Sequence, residues 1–506
     1  MYDKLLFRRG FVLFEDGCGV DVPSRIEDWG RERFGRYVLR THPDLRYSAV
    51  ETGGTSVGIS GRVFDPVGGV ADTDTILATL ARRLGESDDR FFDYLDRLSG
   101  RFVLLAEAGE RAFALQDATG NHALFYDDDD PERCVLATHP GLVAEMGGYR
   151  PTGGAAAIRS ADAPWFPGAA TPYAEVKLLT PNTLLTLPEN AVRRFFPRER
   201  LPENPLTDDL VADVADVFRT SVELLDRDND LSLSLSAGLD SRLSLAATRD
   251  VSDDVYYTTW VTGDGDEEVA TVEELSENVG VEYTPTDLSE TPDDSFADCF
   301  TTNTAGMSRP NRCRNAYNLF HRRRPAEGTV GIRSNVAEIA RTFYRDRFRF
   351  LPDEVDAEVL AKLYGFESQT AYVQAMYEDF IDRAEFPRGD VHGYDVYDLF
   401  YWECRIGCWL SLWFLETSIA QEEISLFNNR YLLKKMLSVE YEHRRSNELF
   451  YRVIGELWPE CLDIPVNPHE EPSIEGMERV DRFLSGMMFR APTPVYTMVR
   501  NVRRMT

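Results

Sequence analysis

Ser236, Gly238, Asp240 and Ser241 bring two hydroxyls, a carboxylate and a position without a side chain into the stretch Ser236-Ala237-Gly238-Leu239-Asp240-Ser241. Such a set can hold phosphate. The hydroxyls donate, and the small residues Ala237 and Gly238 let the backbone pass close to an anion. Positioning them takes a strand that turns sharply into a helix. Leu231, Leu233 and Leu235 alternate with serines at strand period, and Leu239, Leu243, Ala246 and Ala247 follow at helical spacing. The first free N–H groups of that helix, with the positive end of its dipole, then face the turn. No Gly-Lys-Ser/Thr follows, so the turn is not a Walker loop. The plain alternative is a serine-rich strand, turn and helix that binds nothing.

Composition sets the frame. The chain has 506 residues and a net charge of −31, a length that suggests more than one domain. Of its 55 basic residues only five are lysine: Lys4, Lys177, Lys362, Lys434 and Lys435. An acidic, lysine-poor surface stays hydrated where concentrated salt screens repulsion, so the profile looks halophilic. The run Asp127-Asp128-Asp129-Asp130 is expected to be solvated surface rather than a metal site. Nucleic acid is excluded as a partner because no dense basic face is present. The seven cysteines, at 18, 134, 299, 313, 404, 408 and 461, have no Cys-x-x-Cys spacing, which fits a reduced cytosol. Cys404 and Cys408 are expected as core thiols. No apolar run approaches the roughly 18 residues that span a bilayer, and no signal-peptide pattern opens the chain.

The chain divides near residue 200. Residues 193–209 carry Pro197, Pro202 and Pro205 and read as a linker. Thr207 or Asp208 can cap the helix that follows, with Val211, Val214, Val217, Phe218, Val222 and Leu225 as its apolar face. Upstream, strand-like runs at Ser56–Ile59, Arg101–Ala106, Ala112–Gln116, Ala123–Tyr126 and Thr183–Leu187 predict a layered α+β domain.

The loop resembles the Ser-Gly-Gly-x-Asp-Ser pyrophosphate loop of the ATP pyrophosphatases, the group that contains asparagine synthetases; here Ala237 stands in place of one of the two glycines, beside Gly238. Four upstream stretches resemble the glutamine amidotransferase domain of asparagine synthetases, in order and approximate spacing: Ile59–Asp65, Asp72–Leu77, Leu98–Phe102 and Asp117–Tyr126. The resemblance implies an α/β chain in which residues 1–200 form a degenerate amidotransferase-like domain of N-terminal-nucleophile-hydrolase type. Residues 201–506 would then form a parallel-sheet ATP-pyrophosphatase domain with a helical C-terminal part. In that family the nucleophile is a cysteine exposed when Met1 is removed; here position 2 is Tyr2, and Cys18 lies too far along. Ser60 stands where the family holds glutamine with an asparagine, though Gly61 and Asp72 persist. Loss of glutaminase activity is the implied outcome.

The same resemblance places adenine against a second strand, Val255–Trp260, followed by the acidic helix start Gly263-Asp264-Gly265-Asp266-Glu267-Glu268. Where the family has Gly-Asp-Gly-Ala-Asp-Glu-Leu-Phe, this chain has Ile332–Ile339, and only Glu338 matches an acid. Arg333 and Arg341 flank it and suit a bidentate grip on an anion; bracing a helix start is an equal alternative. Glu338, Arg333 and Arg341 are therefore the candidate catalytic residues. Ser236, Ala237, Gly238, Asp240 and Ser241 are the implied ATP site, with Asp240 facing Mg2+. Arg405 is expected to pair with Glu403 or another acid. Ser425–Arg430 resembles the family's Pro-Phe-Leu-Asp segment, whereas Ile464–His469 lacks the lysine that stabilises charge during amide formation. Arg490, Arg500, Arg503 and Arg504 sit among apolar residues that either touch an anionic membrane or pack a terminal helix.

The implied function is ATP-dependent adenylation of an acceptor with release of pyrophosphate, forming an amide without glutaminase activity. Two alternatives stay open, a tailoring enzyme for cell-surface sugars and a non-catalytic nucleotide-binding scaffold. The implied partners are a small-molecule substrate and a second copy of the chain, in the cytoplasm.

Overall fold

Strand alternation before residue 200 is resolved into two sheets in the computed structural model, which describes residues 2–130, 133–154, 158, 165–261, 267–322, 325, 328–348, 351–364 and 370–468. Among the described residues twelve strands precede the linker: β1 Phe11–Glu15, β2 Gly30–Phe34, β3 Tyr37–Thr41, β4 Tyr47–Thr52, β5 Thr55–Phe64, β6 Ser99–Ala108, β7 Arg111–Gln116, β8 Phe125–Asp127, β9 Val135–Ala137, β10 Val176–Leu178, β11 Thr183–Leu187 and β12 Ala191–Arg194. They form two antiparallel sheets, ordered β10-β8-β9-β1-β3-β2 and β12-β11-β7-β6-β5-β4. Because side chains alternate along a strand, each sheet has two apolar faces. Phe11, Leu13 and Leu39 of one sheet meet Val103, Leu105 and Ala114 of the other in a shared inner core. The outward set of the second sheet, Ile59, Leu104 and Ala106, packs on helices Thr73–Glu86 and Asp88–Leu95. The outward set of the first covers helix Pro140–Gly147.

The sequence reading anticipated β5, β6, β7, β8 and β11 but not the strands of the first sheet that begin at Phe11. In Phe11-Val12-Leu13-Phe14 every residue is buried, so no polar alternation marks it as a strand. The linker starts later than expected, since Arg193 and Arg194 still belong to β12.

Six further strands follow among the described residues: β13 Leu231–Ser234, β14 Val255–Thr258, β15 Trp260–Val261, β16 Thr286–Asp287, β17 Val330–Arg333 and β18 Glu422–Ser425. A parallel sheet runs β14-β13-β17-β18, while β15 and β16 make a separate parallel pair. The chain is thus a mixed α/β protein with antiparallel and parallel sheets. Thr207 caps helix Asp208–Asp226 by accepting from the Leu210 N–H, which settles the choice left open with Asp208. The single strand expected over Val255–Trp260 is interrupted at Thr259, whose hydroxyl donates to the Leu235 carbonyl at 3.0 Å. Tyr401–Leu410 is a π-helix that buries Cys404 and Cys408.

The parallel sheet is tied to the second antiparallel sheet along a polar seam. Arg62 on β5 donates to both carboxylate oxygens of Glu422, at 3.1 and 2.9 Å. Asn428, in the turn after β18, donates to Asp117 at 2.9 Å, and the indole of Trp402 to the Ala118 carbonyl at 2.8 Å.

Two expectations are corrected. Asp127 is buried rather than solvated, with its carboxylate taken by the Tyr149 hydroxyl at 2.8 Å, and Asp128 pairs with Arg383. Arg405 does not pair with Glu403, because Arg194 already holds that carboxylate through two contacts of 2.7 and 2.8 Å. Arg405 instead lies over the rings of Phe343, Trp165 and Tyr401. No helix among the described residues is long and apolar enough to cross a membrane. The acidic residues 263–266 and the arginines of the tail from 490 onward lie outside the described residues.

Candidate functional site

β13 ends at Ser234, and helix Leu239–Ala247 begins after a turn of Ser236, Ala237 and Gly238. Serine chemistry makes the turn. The Ser241 hydroxyl accepts from the Ser236 N–H at 3.1 Å and lies 2.8 Å from the Ser236 hydroxyl. Ser236 Oγ in turn accepts from the Gly238 N–H at 3.3 Å. Gly238 occupies the cap position at φ −77°, and no described side chain caps the helix. Its first N–H groups therefore face the space beyond the turn. Ala237 is buried, and its carbonyl accepts from the Asn467 N–H at 3.1 Å. Arg242, fully buried one turn on, donates to the carbonyls of Cys461 and Pro465 at 3.1 Å each, to Ala237 at 3.3 Å, and to Ile464. The segment read in sequence only for its missing lysine thus clamps the turn from behind.

The end of β17 supplies the other wall. Ser334 joins Ser244 of the loop helix, hydroxyl to hydroxyl, at 2.7 Å. Arg333 is buried, donates from Nε to Glu423 at 2.8 Å, and lies with its guanidinium 3.5 Å from the Trp260 ring. Arg341 donates to Asp240 at 2.7 Å and to the Asn447 amide oxygen at 2.8 Å. Glu338 has an oxygen, Oε2, that is buried and has no hydrogen-bond partner among the described residues. Burial, followed by the neighbouring charge of Asp240, pushes its carboxyl up to about 8. Burial also raises Asp240, against the pull of Arg341.

These walls enclose a cleft of about 710 Å3. It is lined by Ser236, Gly238, Asp240, Ser241, Arg333, Glu338 and Arg341, so seven of the eight candidate residues meet in one place. Ala237 is the exception. It is buried and does not line the cleft. The cleft lies at the carboxyl ends of β13 and β17. From β13 the sheet grows to β14 on one side and to β17 on the other, which is the switch point where open parallel sheets bind ligands. Sequence reasoning missed Asn335, Asn447, Tyr451 and Asn467, which also line it. Only Asn447, directly before the helix Glu448–Leu457, carried a local signal, that of a residue placed where a helix begins.

The residues of the amidotransferase-like resemblance have other tasks. Tyr2 is buried, and its hydroxyl donates to Asp293 at 2.9 Å. Asp72 caps helix Thr73–Glu86 through the Thr75 N–H at 2.8 Å. Gly61, at φ +109°, lets β5 and β6 approach where a Cβ would stand 2.3 Å from the Arg101 carbonyl.

Among the described residues no group of three His, Cys, Asp or Glu side chains could hold a metal ion unaided. A magnesium ion that brings phosphate oxygens needs only one or two carboxylates from the protein. Asp240 gives Oδ1 to Arg341 and keeps Oδ2, which fits such an ion.

No protein-family model and no curated protein sequence matches this chain. Solved structures that align with it include a glutamine phosphoribosylpyrophosphate amidotransferase from B. subtilis complexed with ADP and GMP, at 11% identity over 67% of this chain and 73% of that one, with a TM-score of 0.23. Another is described as the allosteric regulatory enzyme of purine biosynthesis, at 12% identity over 65% and 70%, with a TM-score of 0.24. Scores this low assign neither a fold nor a function.

Proposed function

We propose that residues 201–506 form an ATP-pyrophosphatase-type domain whose cleft binds ATP, and that the chain uses it to adenylate a carboxylate acceptor, an asparagine-synthetase-like reaction. The observation that carries this reading is the coincidence, at one switch point, of an uncapped helix N-terminus, a serine-built turn and a carboxylate, Asp240. In the overall reaction an acceptor carboxylate oxygen bonds to the α-phosphorus, the bond from that phosphorus to the β-bridging oxygen breaks, and pyrophosphate leaves. An amine then displaces AMP and loses a proton as the amide forms.

The chain's own groups suit these tasks. The first N–H groups of helix Leu239–Ala247 and the Ser236 hydroxyl would hold the departing pyrophosphate. Asp240 would hold magnesium, which supplies charge neutralisation on the phosphates when bound. Glu338, raised to about 8, can take the amine's proton on Oε2. Residues 1–200 are proposed to be a scaffold related to glutamine amidotransferases, with ammonia or a substrate amine as the nitrogen source, because position 2 is a buried tyrosine.

Calorimetry with magnesium and ATP at high KCl, together with separation of products, tests the reading. Saturable binding and formation of AMP with pyrophosphate are expected. Absence of ATP binding by the folded chain overturns it. Glutamine should yield no glutamate with purified protein, and glutamate release abolished by Tyr2→Ala would refute the scaffold assignment.

A further inference from the structure

Arg333 stands at the cleft wall with its position fixed but its donors not fully used. Glu423 takes its Nε at 2.8 Å, and that carboxylate is itself held by the Thr417 hydroxyl and the Gln421 amide, each at 2.6 Å. The Trp260 ring lies 3.5 Å from the guanidinium and that of Trp413 5.2 Å; the two indoles are within 12° of parallel. An arginine pinned on an edge and a face can no longer turn to find partners. Nη2 is nevertheless buried with no hydrogen-bond partner among the described residues. An unpaired charged donor is costly to bury, and Arg333 is one of the residues that line the cleft.

The surroundings keep this end positive. Arg312 lies 3.7 Å over the other indole, Trp413, and Arg322 binds Gln421. Burial lowers the affinity of both for their protons, and the charge of Arg333 adds to that effect. Glu416 and Glu423 are the acids facing these three guanidiniums. Burial pushes Glu416 up to about 7, so it offsets only part of their charge near neutrality. In a chain of net charge −31, this is a local reversal of sign beside the candidate site.

We infer that Arg333 is the receptor for a carboxylate on the acceptor, and that Trp260 is a positioning residue that keeps the guanidinium plane in register with it. The planar fork of arginine matches two carboxylate oxygens in a plane. The inference deepens the adenylation reading, which requires a carboxylate-bearing acceptor, but the anion site is testable without nucleotide.

The test uses the full chain and malonate as probe, with sulfate as the tetrahedral control, titrated calorimetrically with and without magnesium and ATP. Malonate should bind saturably and more tightly than sulfate. Without nucleotide, Arg333→Lys should weaken malonate about tenfold or more, the loss of one charge-assisted contact. In the absence of nucleotide, Trp260→Leu should weaken malonate with the melting temperature kept, and Trp260→Phe, which restores a flat face, should recover most of the loss. A merely structural role for Trp260 would lower the melting temperature of Trp260→Leu together with its malonate affinity. Malonate binding that is absent, or equal in wild type and Arg333→Lys, overturns the inference, as does sulfate binding as tightly as malonate. If malonate binds through Arg333 while ATP does not bind, the carboxylate receptor stands and the nucleotide reading falls.

Discussion

At the seam between the antiparallel and parallel sheets, Asp117 receives the N–H groups of Phe102, Thr119, Asn121 and His122 and the amide of Asn428. In the cleft, Glu338 leaves one carboxylate oxygen, and Arg333 one guanidinium nitrogen, without a partner among the described residues. A second pair sharpens the contrast. Burial pushes Glu422 upward too, yet the charge of Arg62 and its two hydrogen bonds, with Arg9 and Arg46, hold it down at about 2; Glu338 is carried up to about 8. The seam pairs its charges for stability. The cleft keeps charged groups in a state that suits exchange with a ligand.

The contrast can be broken most forcefully at Asp117. Asp117→Ala strands several buried donors and should lower unfolding free energy by about 3 kcal/mol or more, seen as a drop in denaturant midpoint. A small change there would show that the seam is not a stabilising network. Substitution at Glu338 should behave differently, with thermal stability kept and amide formation lost in Glu338→Gln, as followed by AMP release.

The pH dependence separates the two glutamates by sign. The folded state binds Glu338's proton more firmly than the unfolded chain, so that contribution is full below pH 4.5 and is lost as pH rises toward about 8. Glu422 works in reverse, with stability present above pH 4.5 and lost as pH falls toward about 2. Melting curves across pH should show both limbs. Glu338→Gln should flatten only the alkaline one, and Glu422→Gln only the acid one; a variant that flattens the other limb would reverse the assignment.

Smaller effects are expected at the turn. Asp240→Ala should weaken magnesium–ATP binding about tenfold. Ser236→Ala should weaken it by less, since the Ser241 hydroxyl still accepts from the Ser236 N–H, and Ala237→Gly should leave it near unchanged because Ala237 does not line the cleft. Equal affinity in wild type and both weakened variants would remove the turn from the site.

The loop was legible in sequence because it combines two periods: alternating leucines before Ser236 and helical spacing after Gly238. Glu338, Arg333 and Arg341 were found through a degenerate likeness rather than periodicity, yet they share one cleft. Their partners were not legible. Glu423 lies 90 residues from Arg333, and Asn447 lies 106 from Arg341, and no local pattern joins residues that meet only when parallel strands align. Strands β1 and β9 of the first antiparallel sheet were hidden for another reason, since strands covered on both faces lose the alternation by which strands are read.

Arg242 bears on the order in which the molecule comes together. Its guanidinium finds its carbonyls at residues 461, 464 and 465, the last described part of the chain, more than 200 residues after the arginine is made. As the polypeptide leaves the ribosome from its N-terminus, the loop helix emerges with a cation that has nowhere to bury. The cleft can therefore close only once residues 461–465 have been made, so a nascent chain stalled before Cys461 should carry the antiparallel layers but not a formed turn at Ser236.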